Sequence, residues 1–421
     1  MPKSSLPAHP IGALDTWPSL ANWQVAGVTL AAIGSAVFGG VATLIGTLLL
    51  APVVYALARL HSSYPQARCT SELIATPLGA RFGHVTSTLQ IVAYTLLAVG
   101  AARTAGLWLT AVVFNKPEQV TGWPWPVFSL AALLVAAVVV YALPTAILVS
   151  VAAVLAAVAV LIYFYLGLAV TAWRMSDNTI PYEIPALVEI PGVADDLAGW
   201  AALAGMALVV TGFEVATVRN RRLRSGWPMA VALGITAFCA LTVWLAGPTN
   251  LALAVNDLLG RTGELFLNTA GVALAAAALL VLLWAAITVL RQRLHAPGGP
   301  LAISLLTLVM AWLVVLLWFD PANLASSVRS VPALLLMVVY VLVALAFSRL
   351  PQTGETGWWL RVPPVTLLAA AVALPVLYAG FTADVLVDVA LAAVVTGAAF
   401  VAAALLNPRG EPNLGRQRPS P

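Results

Sequence analysis

The chain has 421 residues, of which 62% are hydrophobic and 9% charged, with a formal net charge of +4. A soluble domain needs about 25% charged residues to cover its surface, so the solvent of this chain is lipid. The positive excess follows from its loops and does not argue for nucleic acid, and no P-loop, HExxH, cysteine cluster or Ser–His–Asp arrangement argues for an enzyme, a metal or a cofactor.

A membrane helix needs about 20 apolar residues. In chain order, residues 1–22 form a polar tail with Pro2, Pro7, Pro10 and Pro18 and no apolar core of a cleavable signal. Trp23–Leu60 follows, apolar for nearly its whole length. It is too long for one span and barely long enough for two, with Gly39-Gly40 as the breaker at its middle. Further spans are expected at Val85–Phe114, Pro124–Leu143, Thr145–Trp173, Ala198–Val218, Trp227–Gly247 and Glu264–Leu290. Pro300–Phe319, Val328–Phe347, Val362–Gly380 and Ala383–Leu406 complete the set. The expected architecture is all-α and integral to the membrane, with about twelve helices across residues 23–406. Residues 407–421 are polar and Pro-rich, and are expected to be a disordered cytoplasmic tail.

The loops support an even count. With the N-terminus placed in the cytoplasm, that side collects Lys3, Arg59, Arg68, Arg81, the Arg219–Arg224 run, Arg291, Arg293, Arg349, Arg361 and the arginines of the tail. The other side keeps Lys116, Arg174, Arg261 and Arg329, with Asp177, Glu183, Glu189, Asp195 and Asp196 in one acidic loop. This is the positive-inside pattern of a multi-pass plasma (inner) membrane protein with both termini cytoplasmic. Trp123, Trp125, Trp173, Trp227, Trp358 and Trp359 fall at span ends and read as interfacial anchors. Cys69 and Cys239 suggest neither a disulfide nor a metal site.

Ionisable groups at membrane depth are the informative exceptions. Glu214, in Val209-Val210-Thr211-Gly212-Phe213-Glu214, reads as a proton-sensing or gating carboxylate, or as an interfacial acid paired with Arg219–Arg224. Arg103 reads as the holder of a substrate carboxylate, or as a side chain snorkelling to the outer interface. Asp384 and Asp388 open the last span and are expected to stay wet.

Two stretches carry a family resemblance. One is Ser63-Tyr64-Pro65-Gln66-Ala67-Arg68-Cys69, running on to Phe82-Gly83; the other is Thr211-Gly212-Phe213-Glu214 followed by a basic loop and Pro228. In order and position they resemble the amino acid–polyamine–organocation superfamily of transporters. In size the chain is similar to its bacterial branched-chain amino acid and methionine exporters. The resemblance implies a LeuT-type fold of two inverted five-helix repeats plus two helices, with substrate against broken helices one and six. It also implies a substrate site at Gly34, Ser35 and Ala36 in Gly34-Ser35-Ala36-Val37-Phe38, and at Leu208, Thr211, Gly212 and Phe213. Glu214 and Arg103 then become coupling or gating residues. Three departures stand out. Arg68-Cys69 replace paired glycines, Leu208 stands where an aromatic gate is common, and Gly34–Phe38 lies too close to Tyr64-Pro65 to leave room for a complete second helix.

The implied function is secondary transport of amino acids or related small amines, with a non-transporting scaffold or partner subunit as the alternative. Proton linkage or no coupling is expected. Sodium is not, because Ala273–Leu280, at the middle of the eighth span, offers no side-chain oxygen to a dehydrated cation.

Overall fold

The computed structural model describes residues 21–65, 67, 69–114, 123–176, 206–218, 226–246, 251–294, 299–350, 358–377 and 383–406. The two tails, the acidic loop, Arg219–Arg224 and His295 lie outside the described residues.

Lipid leaves the backbone only its own partners, and apolar runs therefore close into helices. The order is α1 (Asn22–Ala32), a 3-10 turn (Gly34–Gly39), α2 (Val41–Ser63), α3 (Thr70–Leu78), α4 (Ala80–Phe114), α5 (Pro124–Ala142) and α6 (Thr145–Ser176). After a second 3-10 turn (Phe213–Thr217) come α7 (Trp227–Leu245), α8 (Leu251–Leu294), α9 (Gly299–Phe319), α10 (Pro321–Phe347), α11 (Trp358–Leu377) and α12 (Ala383–Leu406). Eight of the described helices are long and apolar enough to cross a membrane, and Ile303–Phe319 and Arg361–Val372 are shorter apolar ones. With the first and sixth elements, both broken, the expected set of about twelve is accounted for. The protein is an all-α, multi-pass membrane protein.

The packing repeats. Helix α4 lies on α8, α6 on α8 and α10 on α4, while α2 lies on α7 and α1 on the second 3-10 turn. Exchanging the first five membrane elements for the second five turns the α6–α8 contact into the α10–α4 contact. That is the relation expected of a five-plus-five repeat.

The first break follows from its glycines. Helix α1 stops at Ala32, the chain tightens through Gly34–Gly39, and Gly40 reverses it with φ 56° and ψ −132°. A side chain at that φ is disfavoured, which is why the breaker is glycine. The reversal takes one residue, and α2 keeps all 23 of its residues, about 34 Å of helix. The expectation that Gly34–Phe38 leaves no room for a complete second helix is therefore corrected. The shortening falls on the first element instead.

Small residues let helices approach closely. A Cβ on Gly27 of α1 would lie 2.1 Å from the Cβ of Ala153 in α6. One on Gly106 of α4 would lie 2.4 Å from the carbonyl of Trp125 in α5.

The charged helix ends share a face. Arg293 at the end of α8 donates to Thr88 near the start of α4. Arg349, just past α10, donates to the Pro77 carbonyl of α3 at 3.5 Å. Asp388 departs from expectation: it is buried and accepts from Ser330 of α10 rather than facing water. The α10–α12 contact covers it. The side chain of Asp384 lies outside the described residues.

Candidate functional site

The sixth element breaks at Gly212, as the resemblance implies for helix six. Residues 206–209 are helical, Val210–Gly212 form a turn, and Gly212 adopts φ 105° and ψ −5° before the 3-10 turn begins. The break leaves Glu214 fully buried, with Thr217 donating to its backbone carbonyl at 2.7 Å.

The Glu214 carboxylate is held by two phenols. Tyr94 of α4 donates to Oε1 at 3.0 Å, and Tyr340 of α10 donates to Oε2. Each phenol oxygen also accepts: Gln90 Nε2 donates to Tyr94 at 3.0 Å, and the backbone N–H of Gly212 donates to Tyr340 at 2.9 Å. Tyr340 therefore satisfies a backbone donor released by the break and one oxygen of the carboxylate. Phe213 stacks on its ring at 5.2 Å. Thr217 is also hydrogen-bonded to Thr70 of α3 at 2.7 Å. One node thus joins α3, α4, α10 and the broken sixth element. The reading of Glu214 as a partner of Arg219–Arg224 falls on residues outside the described set, and its hydrogen-bond donors here are neutral phenols.

Tyr340→Phe is expected to destabilise more than Tyr94→Phe. Each loses a donor to Glu214, worth about 1.5–3 kcal/mol. Loss of the Tyr340 oxygen also strands the Gly212 N–H, a fixed backbone group that cannot turn away, at about 1–3 kcal/mol more. Gln90 is also buried, but as a side chain with rotatable bonds it can shift further than a backbone group when Tyr94 is changed. Thermal unfolding of the purified variants measures this, and equal losses would contradict the capping role of Tyr340.

A cavity of about 190 Å³ lies beyond this node, toward the Phe114 end of α4. Its walls include Ser35 and Phe38 from the first break, Leu97, Arg103 and Trp108 from α4, and Arg329 from α10. Ala275 and Ala278, from the stretch expected to lack sodium ligands, also face it. Arg103 is nine residues past Tyr94, about 14 Å along the helix. Leu97 is the partition: it lines the cavity, and its Cδ1 lies 3.6 Å from where a Cβ on Gly212 would be.

Of the residues expected to bind substrate, Ser35 lines this cavity and Gly34, Ala36, Leu208, Thr211, Gly212 and Phe213 do not. Gly34 is packed against Leu274, and Thr211 donates to the Leu208 carbonyl at 3.0 Å. Phe213 is buried in the Glu214 node. The break of the sixth element is present, but Leu97 separates it from the cavity. Arg103 is half-buried, its Cζ 5.7 Å from the centre of the Trp125 ring. Trp125 is itself 1% exposed, so it is a support for Arg103 and not an interfacial anchor. Trp123 and Trp227, at 65% and 71% exposed, do fit that role.

Comparison with known proteins finds a likeness of fold. No protein-family model matches the chain, and no curated protein matches it. Solved structures of the manganese transporter of Eremococcus coleocola do. In complex with an aromatic bis-isothiourea substituted compound, that protein aligns at a TM-score of 0.58 and 11% identity, over 91% of this chain and 92% of that one. Two mutants of it align over the same shares, at TM-scores of 0.56 and 0.57. At 11% identity the correspondence is one of chain path. It supports an all-α integral membrane fold like that of this transporter.

Proposed function

We propose that the protein is a secondary carrier, of the amino acid–polyamine–organocation type, that moves amino acids or related small amines across the plasma membrane by alternating access. The observation that carries this is the break in the first membrane element, whose Ser35 and Phe38 line a cavity on the α4 and α8 core, with a second break in the sixth element behind Leu97. Irregular backbone at membrane depth is tolerated only where protein covers it or a cavity accepts it. A scaffold on the same fold needs no such cavity, which favours transport over the non-transporting alternative.

Manganese, the cargo named for the similar structures, suits this cavity poorly. No group of three His, Cys, Asp or Glu that could hold a metal occurs among the described residues. Arg103 and Arg329 would also repel a divalent cation. Glu214 is the proposed proton carrier. As a carboxylate it accepts from both phenols, and as an acid it must donate to one of them, so gain or loss of a proton rearranges the node. Sodium has no side-chain oxygen to meet in Ala273–Leu280.

Counterflow in proteoliposomes tests the carrier reading. Vesicles loaded with an unlabelled amino acid mixture should take up labelled L-leucine faster than empty ones. No counterflow with any amino acid or small amine would remove the reading. Sodium-driven accumulation would remove the proposed coupling.

We further propose cytoplasmic termini, with Arg219–Arg224 on the same face. Single cysteines placed at Arg222 and Asp195 report sidedness, provided the native thiols stay silent. Cys69 is expected to be silent. It is buried against Ser71, and burial, then the charge of Glu72, pushes its thiol up to about 11. At pH 7 it is almost wholly the unreactive thiol. Maleimide labelling of Cys69 in the folded protein would contradict this, and an external label at Arg222 would overturn the orientation.

A further inference from the structure

Arg103 and Arg329 face the same cavity. Among the described residues neither has an acidic partner, and the enclosed Nε of Arg103 makes no hydrogen bond. Arg103 is half-buried and Arg329 exposed, so the cavity carries two like charges that an anion would relieve. A guanidinium fork matches a carboxylate in shape as well as charge. The remaining walls are mainly aliphatic and aromatic, with Leu97, Leu274, Phe38 and Trp108 prominent, and hydroxyls only from Ser35 and Thr104. Among the described residues, no carboxylate lines the cavity to receive an ammonium group.

We propose that this cavity binds a small carboxylate with an apolar body, its carboxylate held between Arg103 and Arg329, and that an amino group contributes little to recognition. The proposal names the cargo of the carrier, and so rests on that reading for every step after binding. Binding itself is measured without transport, which keeps the two separable. Counterflow of amines alone would leave the carrier standing and sink the carboxylate. Carboxylate binding without counterflow would do the reverse.

Three probes share one branched apolar tail: isovalerate carries only the carboxylate, isoamylamine only the amine, and L-leucine both. The full-length protein in detergent is titrated with each, and the thermal midpoint is followed. Isovalerate and L-leucine should raise the midpoint with affinities within about tenfold of each other, and isoamylamine should not. Arg103→Gln should weaken isovalerate by roughly tenfold to a hundredfold, the range for a hydrogen bond to a charged group. Arg103→Lys, which keeps the charge but loses the fork, should fall between. Because the wild-type comparison needs no variant, a misfolded Arg103→Gln leaves the proposal falsifiable. Stabilisation by isoamylamine but not isovalerate would overturn it, as would unchanged isovalerate affinity in a folded Arg103→Gln. Stabilisation by dihexanoyl-phosphatidylglycerol with none from isovalerate would assign the arginines to a lipid headgroup and also overturn it.

Discussion

Glu214→Gln is expected to abolish the pH dependence of transport while leaving a folded but weakened protein. The carboxylate accepts from both Tyr94 and Tyr340, and both phenol oxygens already accept from another donor. A glutamine offers one acceptor atom and one donor atom to this pair. One phenol O–H is then left without an acceptor, at a cost of about 1–3 kcal/mol. Glu214→Leu strands both phenols and should cost about twice as much. Combining Glu214→Leu with Tyr94→Phe should recover part of that loss, because removing both partners of a buried bond is cheaper than removing one. Transport rate against pH in proteoliposomes, with thermal unfolding of the same preparations, measures both effects. An unchanged pH profile in a folded Glu214→Gln would move the proton elsewhere.

Gly27→Leu is expected to unseat α1. The Cβ position lies 2.1 Å from the Ala153 Cβ and 2.8 Å from its Cα, so the obstacle includes backbone and not a side chain that can swing aside. Overpacking of this kind costs about 1–3 kcal/mol and more where the backbone must move. Transport should be lost, because α1 also packs on the second 3-10 turn and carries that interface with it. Gly27→Ala should give a milder form. Ala153→Gly should rescue Gly27→Ala only in part, since the backbone of residue 153 still stands in the way. Detergent-extracted yield and thermal midpoint are the readouts. Wild-type values for Gly27→Leu would show that α1 and α6 are loosely packed.

The span cores were legible because apolar runs are interrupted by charge, and Ala383–Leu406 matches to the residue. The ends were less legible. Helix α4 begins at Ala80 and not Val85, because Arg81 and His84 continue the helix after hydropathy has fallen. Helix α8 begins at Leu251, through Asn256, Asp257 and Arg261, with non-helical Gly260 marking the bend. Helix α10 begins at Pro321, through the polar Ser326, Ser327 and Arg329. That last extension hid part of the cavity, since Arg329 reads as a loop charge until the helix places it on the cavity wall that Arg103 also lines. Glu214 was visible as an acid in an apolar run. Its partners were not: a tyrosine in such a run reads equally as packing or as an interfacial residue. Tyr94 and Tyr340 are 120 and 126 positions away in sequence, a pairing that only the fold creates.

The shortness of the first membrane element bears on lipid. Its 11 α-helical and six 3-10 residues reach about 29 Å end to end, close to the roughly 30 Å of an average hydrocarbon core. It therefore spans only when upright, with no spare length to absorb tilt. Longer spans, such as α4 with 35 residues, can lean to fit a range of thicknesses, whereas α5 and α7, with 19 residues each, have as little length to spare. A thicker bilayer strains these short elements first, and strain in the first of them acts where α1 meets the broken sixth element. Acyl-chain length thus becomes a mechanical input to the proposed carrier, delivered in part through a first span with no slack.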